Sequence, residues 1–205
     1  LEDSTRLTRT LPTPVWRGLK ERHDELVRAC AGAAGGQVVK SLGDGFLVVF
    51  PSEEPAIRFA IALQRAIRSE PWQDGIALQM RIGMDTGPAV FIPDPPDFDG
   101  DALNVASRIC ARARPGEVLP SARSYFGARP TLERPGGEVR LEPAGEVRLK
   151  GLATPEPLYR AWAPGLREGF PPLARAGNLA AHRAASPFIG REELQAEVVA
   201  ALRTH

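Results

Sequence analysis

The chain of 205 residues has very little cysteine and almost no net charge. Its two thiols, Cys30 and Cys110, are too few for a disulfide framework, and both fall on predicted helices. We therefore expect reduced, buried thiols in a cytosolic protein. The 26 basic and 25 acidic residues leave a formal charge of +1, which argues against a protein that attracts nucleic acid electrostatically.

Long apolar runs are also absent. No uncharged stretch approaches the roughly 18 residues that a membrane helix needs, and the charged segment that begins at Leu1 is unlike a signal peptide. These absences predict a cytoplasmic protein with no membrane span. Because the first residue is not Met, we expect the chain to be a piece of a longer protein. Hydrophobic residues make up 43% of it, enough for the core of one domain.

The clearest local pattern lies between residues 37 and 50. Two runs rich in Val, Leu and Phe flank Gly43-Asp44-Gly45, and an Asp-Gly pair between such runs is a strong signal for a β-hairpin. Lys40 interrupts the first run, and Asp44 lies at the predicted tip. Each has a plain structural explanation by itself, as a solvated lysine and a turn-forming aspartate.

Helices and strands alternate along the next hundred residues. Apolar spacing and capping residues predict helices that begin near residues 13, 53, 101 and 121. Strands are predicted at 76–84, 89–92, 118–119, 146–149 and 157–162. Residues 93–100 contain three prolines and are predicted to be an irregular loop. The alternation is typical of an α/β or α+β domain with one mixed sheet.

The composition changes after Ala163. Residues 164–186 are rich in Pro, Gly, Ala and Arg without a period, which predicts a linker. Residues 187–205 contain the start of a further helix that continues to the end of the chain. We therefore divide the chain into a domain at 1–163, a linker at 164–186 and the incomplete start of another domain at 187–205.

Further polar residues lie outside the apolar patterns. Asn104 and Arg108 are four residues apart, so they share a helix face that is not the apolar one. Asp97 precedes that helix within the proline-rich segment, and Lys150-Gly151 follows a predicted strand. Separately, they are explained as a solvated pair, a turn aspartate and a surface turn.

In combination, these segments resemble the catalytic domain of the class III nucleotidyl cyclases. The similarity extends over about residues 1–162. It rests on Lys40-Ser41-Leu42-Gly43-Asp44-Gly45-Phe46, on Asp97 seven residues before Asn104-Val105-Ala106-Ser107-Arg108, and on Lys150-Gly151. Gly83-Met84-Asp85-Thr86-Gly87 also fits, with Asp85 where many members have His. The resemblance implies an α+β, ferredoxin-like fold with helices packed on a mixed or antiparallel sheet.

The resemblance also implies a reaction, in which ATP is converted to 3′,5′-cyclic AMP and pyrophosphate. Asp44 would bind one of two Mg²⁺ or Mn²⁺ ions per site, since hard cations prefer carboxylate oxygens. Arg108 would stabilise charge on the α-phosphate, and Asn104 would orient the ribose. Lys150 would neutralise the terminal phosphates.

The base would be recognised by Lys40 and Asp97. In the family a lysine donates to an adenine ring nitrogen, and an aspartate accepts from the exocyclic amine, which favours ATP over GTP. Family members complete each site with residues of two subunits in an antiparallel dimer. The chain has residues of both halves, so a homodimer with two equivalent sites is implied.

One part of the family pattern is not in the sequence. The family's first strand and first metal-binding aspartate precede the position of Leu1, and we do not expect Glu2 or Asp3 to replace that aspartate. Two explanations stay open: a shortened sequence of an active cyclase, or a cyclase-like module without activity that binds nucleotide or dimerises. Residues 186–194 resemble the entry to the ATPase module of large bacterial regulators, so a linked ATPase-type domain is expected. No phosphate-binding loop precedes His205.

Overall fold

The computed structural model describes residues 4–173. Its helices are α1 (Ser4–Thr10), α2 (Thr13–Ala33), α3 (Glu53–Ser69), α4 (Asp101–Cys110) and α5 (Ala122–Leu132), with a 3₁₀ turn at Gln73–Gly75. The strands are β1 (Gln37–Ser41), β2 (Phe46–Val49), β3 (Ile82–Met84), β4 (Val90–Pro93), β5 (Pro96–Asp99), β6 (Val118–Pro120), β7 (Arg140–Val147) and β8 (Glu156–Trp162). This composition confirms the predicted α+β class. Within the described residues, no helix is both long enough and apolar enough to cross a membrane.

The strands pair in both orientations, as predicted, but they form four two-stranded units. β1–β2, β4–β5 and β7–β8 are antiparallel, and β3–β6 is parallel. A bridge between Ser121 and Leu158 joins the β3–β6 pair to β7–β8. The sheet is therefore less continuous across the described residues than the alternating pattern predicts.

The strand predicted at 76–84 forms only over its last three residues. Leu78 and Met80 are buried, which explains the alternating apolar pattern. The Met80 carbonyl, however, accepts hydrogen bonds from the Gly116 amide at 2.7 Å and the Gln64 side chain at 3.0 Å. Those two donors occupy the carbonyl, and no strand ladder extends back to Ile76.

The prediction of an irregular loop at 93–100 was wrong. β4 and β5 form a hairpin around a cis peptide bond between Asp94 and Pro95. Phe91 and Phe98 contact each other across it, with ring centroids 5.2 Å apart. Proline is excluded from central strands because it lacks the amide donor, but a two-stranded hairpin at the surface has edges that tolerate it.

Buried apolar side chains form two clusters. The larger one, here the α2–α3 core, includes Val27 of α2 and Ile57 and Leu63 of α3. The smaller one, here the α4 core, surrounds Val105 and Ile109 of α4. Its other members are Ala113, Leu119, Ala144, Val147, Leu149, Leu158 and Leu173. Each fully buried aliphatic side chain of this kind contributes about 1.5–3 kcal/mol, so both clusters fix the helices that border them.

The first ten residues of the predicted linker are packed against the domain. Leu166 and Leu173 are buried, and the Leu173 amide donates to the Ala144 carbonyl at 2.8 Å. The domain therefore extends beyond the predicted boundary at residue 163. The sequence did not reveal this because two isolated leucines among prolines and glycines have no period. Residues 174–186 of that linker and the predicted domain start at 187–205 lie outside the described residues.

Candidate functional site

The β1–β2 hairpin has the predicted turn at Gly43-Asp44-Gly45. Ser41 pairs with Phe46, and the Leu42 amide donates to the Gly45 carbonyl at 2.8 Å. Gly43 adopts a φ of +79°, a conformation that favours glycine. The turn consequently places Asp44 at the tip of a short two-stranded support.

Lys40 lies beside a bulge in the same hairpin and reaches the neighbouring β5. The strand register shifts between Val38 and Lys40, and a bulge of this kind redirects the side chains near it. The Lys40 Nζ donates to Oδ2 of Asp97 at 2.5 Å, across 57 residues of sequence. The structure therefore joins two residues that the sequence separates widely.

Asp97 is held in its ionised form by two donors. The Lys40 hydrogen bond and then the Phe98 amide, which donates to Oδ1 at 2.8 Å, lower the pKa of Asp97 below its usual value. Both side chains of the ion pair are partly exposed, Lys40 by 42% and Asp97 by 29%. The pair is therefore accessible to a ligand.

Helix α4 presents Asn104 and Arg108 away from its buried face. Asn104 is exposed and Arg108 is half-buried. The opposite side of the helix packs directly on β3, where a Cβ on Gly83 would lie 2.1 Å from the Cys110 amide nitrogen and 2.6 Å from the Ala106 carbonyl oxygen. A glycine at position 83 thus lets α4 approach the strand, which determines where its polar face lies.

The turn that contains Lys150 lies against Arg108. A Cβ on Gly151 would be 3.2 Å from Nη1 of Arg108, and Gly151 has a φ of +81°. Arg112, one helical turn after Arg108, donates to the Arg148 carbonyl at 3.1 Å and fastens this turn to α4. Helix α4 therefore places the Arg108 guanidinium group next to the turn that contains Lys150.

A large cleft connects most of these groups. Its volume is about 1310 Å³, and Lys40, Asp44, Asp97 and Asn104 are among its lining residues. Arg108 and Lys150 are not in this lining; they lie together one helical turn beyond Asn104. Apolar side chains line much of the remaining wall, among them Phe46, Val48, Leu63, Met80, Ile82 and Met84. The structure thus gathers four of the six predicted site residues at one cleft.

One polar network of the cleft was not predicted from the sequence. Asp85 follows β3, and its side chain is fully buried. Oδ1 accepts from Ser121 Oγ at 2.6 Å, and Oδ2 accepts from Arg123 Nη2 at 2.5 Å. This contact fastens the cleft wall after β3 to the start of α5, where the Ser121 side chain caps the helix. The glycine-bounded motif around Asp85 was visible in the sequence, but nothing there indicated an arginine partner 38 residues away.

The described residues contain no group of three or more His, Cys, Asp or Glu side chains that could hold a metal ion. Asp44 does supply one carboxylate to the cleft. Mg²⁺ commonly takes one or two protein carboxylates and completes its shell with water and substrate phosphates. A single carboxylate at the cleft is compatible with a metal ion that binds together with a nucleotide; Glu2 and Asp3 lie outside the described residues.

Comparison with known proteins identifies a family. The family described as "Adenylate and Guanylate cyclase catalytic domain" matches residues 1–159. "Putative adenylate cyclase 3" of Rhizobium meliloti (strain 1021) is 31% identical over 158 residues, which are 75% of this chain and 25% of that protein. An adenylate cyclase of Podospora anserina is 25% identical over 232 residues, 89% of this chain and 10% of that protein. The chain thus spans a quarter or less of the length of these two relatives.

Solved structures confirm the fold. An adenylate cyclase structure from Trypanosoma brucei, described in its monomeric state, superposes with a TM-score of 0.73 at 20% identity and covers 85% of this chain and 90% of that one. An adenylate/guanylate cyclase/hydrolase from Silicibacter pomeroyi gives a TM-score of 0.62 at 29% identity and covers 75% and 88%. The predicted architecture of helices packed on mixed and antiparallel strands is therefore correct.

Proposed function

Because the chain belongs to the adenylate and guanylate cyclase catalytic domain family, we propose that it is an adenylate cyclase domain of an intracellular signalling protein. It converts ATP into 3′,5′-cyclic AMP and pyrophosphate. The observation that supports ATP is the Lys40–Asp97 ion pair at the cleft. An ammonium donor beside a carboxylate acceptor matches an adenine ring nitrogen beside the exocyclic amine. Guanine presents a carbonyl oxygen and a ring N–H there, so it would need these roles reversed.

In this proposal the ribose 3′-hydroxyl gives its proton to solvent water, its oxygen forms a bond to the α-phosphorus, and the bond from that phosphorus to the bridging oxygen of pyrophosphate breaks. Arg108 stabilises the charge that develops on the α-phosphoryl oxygens. Asn104, one turn earlier on α4, orients the ribose. Lys150, whose turn lies against Arg108, neutralises the terminal phosphates that leave as pyrophosphate.

Divalent metal is the proposed cofactor, as two Mg²⁺ or Mn²⁺ ions per site. When bound, these ions supply activation of the 3′-hydroxyl and neutralisation of phosphate charge. Asp44 at the hairpin tip is the protein ligand proposed from the described residues. The hydrogen bond between the Leu42 amide and the Gly45 carbonyl fixes the backbone of the turn that contains Asp44.

The proposed working unit is a homodimer with its sites at the subunit interface. The β4 strand supports an interface, because its apolar residues Val90, Phe91 and Ile92 are 69%, 51% and 38% exposed. These residues lie on the same hairpin as Asp97, so a subunit docked there would lie close to the base-recognition pair. The ATPase-type domain expected after residue 186 stays a prediction.

Product analysis by mass spectrometry tests the proposal. With ATP and Mn²⁺, we expect cyclic AMP from the full-length protein, and much less cyclic GMP from GTP. Arg108→Ala should lower the rate by about 10²–10³-fold, as for other removed transition-state donors. Arg129→Ala removes an exposed arginine of α5 that pairs with Glu133 and is the matched control. No cyclic AMP from the full-length protein, or equal rates for both variants, would refute the proposal.

A further inference from the structure

Residues 164–173, here called the strap, cross the domain after β8 and contact both cores. Leu166 and Leu173 are each 7% exposed. Leu166 belongs to the α2–α3 core, whereas Leu173 belongs to the α4 core. One short segment without secondary structure therefore packs into two separate apolar clusters.

Arginine side chains of the domain fasten the strap through its backbone carbonyls. Arg65 Nε donates to the Pro164 oxygen at 2.9 Å, and Arg114 Nη1 donates to the Pro171 oxygen at 2.7 Å. Arg167, within the strap, donates in return to the Pro115 oxygen at 3.3 Å. These bonds fix the segment along its length, since they occur near both of its ends.

An aromatic contact strengthens the middle of the strap. The guanidinium groups of Arg160 and Arg167 lie 5.3 Å and 5.2 Å from the ring centroid of Phe170. Arg160 in turn pairs with the fully buried carboxylate of Glu117. The strap is thus linked to a buried ion pair as well as to the two cores.

The end of the strap enters the structure that supports α4. The Leu173 amide donates to the Ala144 carbonyl, and the neighbouring Gly145 has a φ of +131° where a Cβ would lie 2.9 Å from the Leu173 oxygen. The Leu173 side chain shares its cluster with Val105 and Ile109, the inner face of α4. The outer face of that helix contains Asn104 and Arg108.

We propose that the strap is a positioning element for α4. Leu173 keeps Val105 and Ile109 seated, so Asn104 and Arg108 stay beside the cleft, and loss of the Leu173 contact loosens that helix. The consequence for catalysis rests on the proposed function, whereas the link between strap and helix does not.

Hydrogen exchange on the full 205-residue chain tests the link. Leu173→Ala should speed the exchange of the α4 amides by about tenfold or more, because removal of buried methyl groups leaves a cavity under the helix. Leu166→Ala is the matched control, with the same residue type, the same burial and a place in the same strap. It should affect α3 and leave α4 unchanged. Leu173→Met, which keeps an apolar side chain of similar volume, should retain the slow exchange of the α4 amides.

The outcomes separate the strap from the proposed chemistry. Equal α4 exchange in the Leu173→Ala and Leu166→Ala proteins overturns the proposal, and so does a uniform acceleration over all helices. Loosening confined to α4 supports it. In the full-length protein, Leu173→Ala should then lower kcat more than it changes KM. A loosened α4 with an unchanged kcat would refute the roles given to Asn104 and Arg108 and leave the strap proposal standing.

Discussion

Two ion pairs of this domain join distant parts of the chain and differ in their surroundings. Lys40 and Asp97 are 42% and 29% exposed at the cleft, whereas Arg160 and Glu117 are 14% and 0% exposed beneath the strap. An exposed pair gains little from its attraction and opens at low cost, so it can exchange its partner for a ligand. A buried pair cannot, because separation would leave an uncompensated charge in the interior. The same chemistry therefore suits the proposed recognition of a base at one place and supports the structure at the other.

The largest effect is expected from breaking the buried pair. Glu117 accepts from Arg160 and from the Arg114 amide, at 2.7 and 2.8 Å. Glu117→Gln should lower the free energy of unfolding by about 3 kcal/mol, since Arg160 loses its countercharge. Urea unfolding measures this. Glu117→Leu combined with Arg160→Met should recover part of the loss, because no charge is then left unpaired. If Glu117→Gln lowers the free energy of unfolding no more than Lys40→Met does, the buried pair is no more important for stability than the exposed pair.

A smaller effect on stability, which depends on pH, is expected from a histidine that packs against the β1–β2 hairpin. His23 of α2 is fully buried, and its ring lies 5.9 Å from that of Phe46. Nδ1 is 2.9 Å from Asp24 Oδ1, while Nε2 has no hydrogen-bond partner among residues 4–173. Burial lowers the pKa of His23 below its ordinary value.

The sign of the pH effect follows from proton uptake. Below about pH 6.5 the unfolded chain binds a proton at position 23 that the folded protein resists, so stability decreases as the pH falls. Urea unfolding at about pH 7.5 and 5.5 should show this decrease, and His23→Gln should reduce it. Ordinary carboxyl groups titrate below about pH 5.5, so they contribute little to a change in stability between these two pH values. An identical pH dependence in both proteins would show that His23 contributes nothing to it.

The smallest effect on stability is expected from opening the exposed pair. Lys40→Met should leave the urea midpoint almost unchanged and weaken the preference for ATP over GTP in nucleotide competition. It should also raise the pKa of Asp97 towards its ordinary value, because the main donor that stabilises the carboxylate is removed; a carboxyl NMR titration measures this. In the parent protein, stability from Asp97 is present above the ordinary carboxyl pKa and is lost as the pH falls through the lowered value. A large loss of stability in Lys40→Met would mean that this pair is structural too.

Local elements of the fold were predictable, and their pairing was less so. The Asp-Gly turn and the apolar spacing of α3 depend on residues close in sequence, and both elements occur as expected. The β4–β5 hairpin was missed because proline argues against a central strand of a sheet. In the described part of the chain, β4 and β5 pair only with each other, so both are edge strands, which tolerate proline. Extended residues around Met80 were read as strand because burial alone produces the same alternation.

In the candidate site, too, the sequence indicated individual residues better than the contacts between them. The family resemblance singled out Lys40 and Asp97, and the structure places them in contact. Asp85 was noticed in its motif, but its burial against Ser121 and Arg123 was not foreseeable. The roles proposed for these groups remain for experiment to test.

The sequence by itself determined the α+β class, the hairpin that displays Asp44 and the helix face shared by Asn104 and Arg108. Turn chemistry and helical period act over a few residues, so they can be read directly. Only the tertiary structure decided that Arg108 meets the turn of Lys150, that Glu117 pairs with Arg160 and that Leu173 enters the α4 core. Such contacts join residues tens of positions apart. Their formation depends on how the helices and strands pack, and no local pattern in the sequence records that packing.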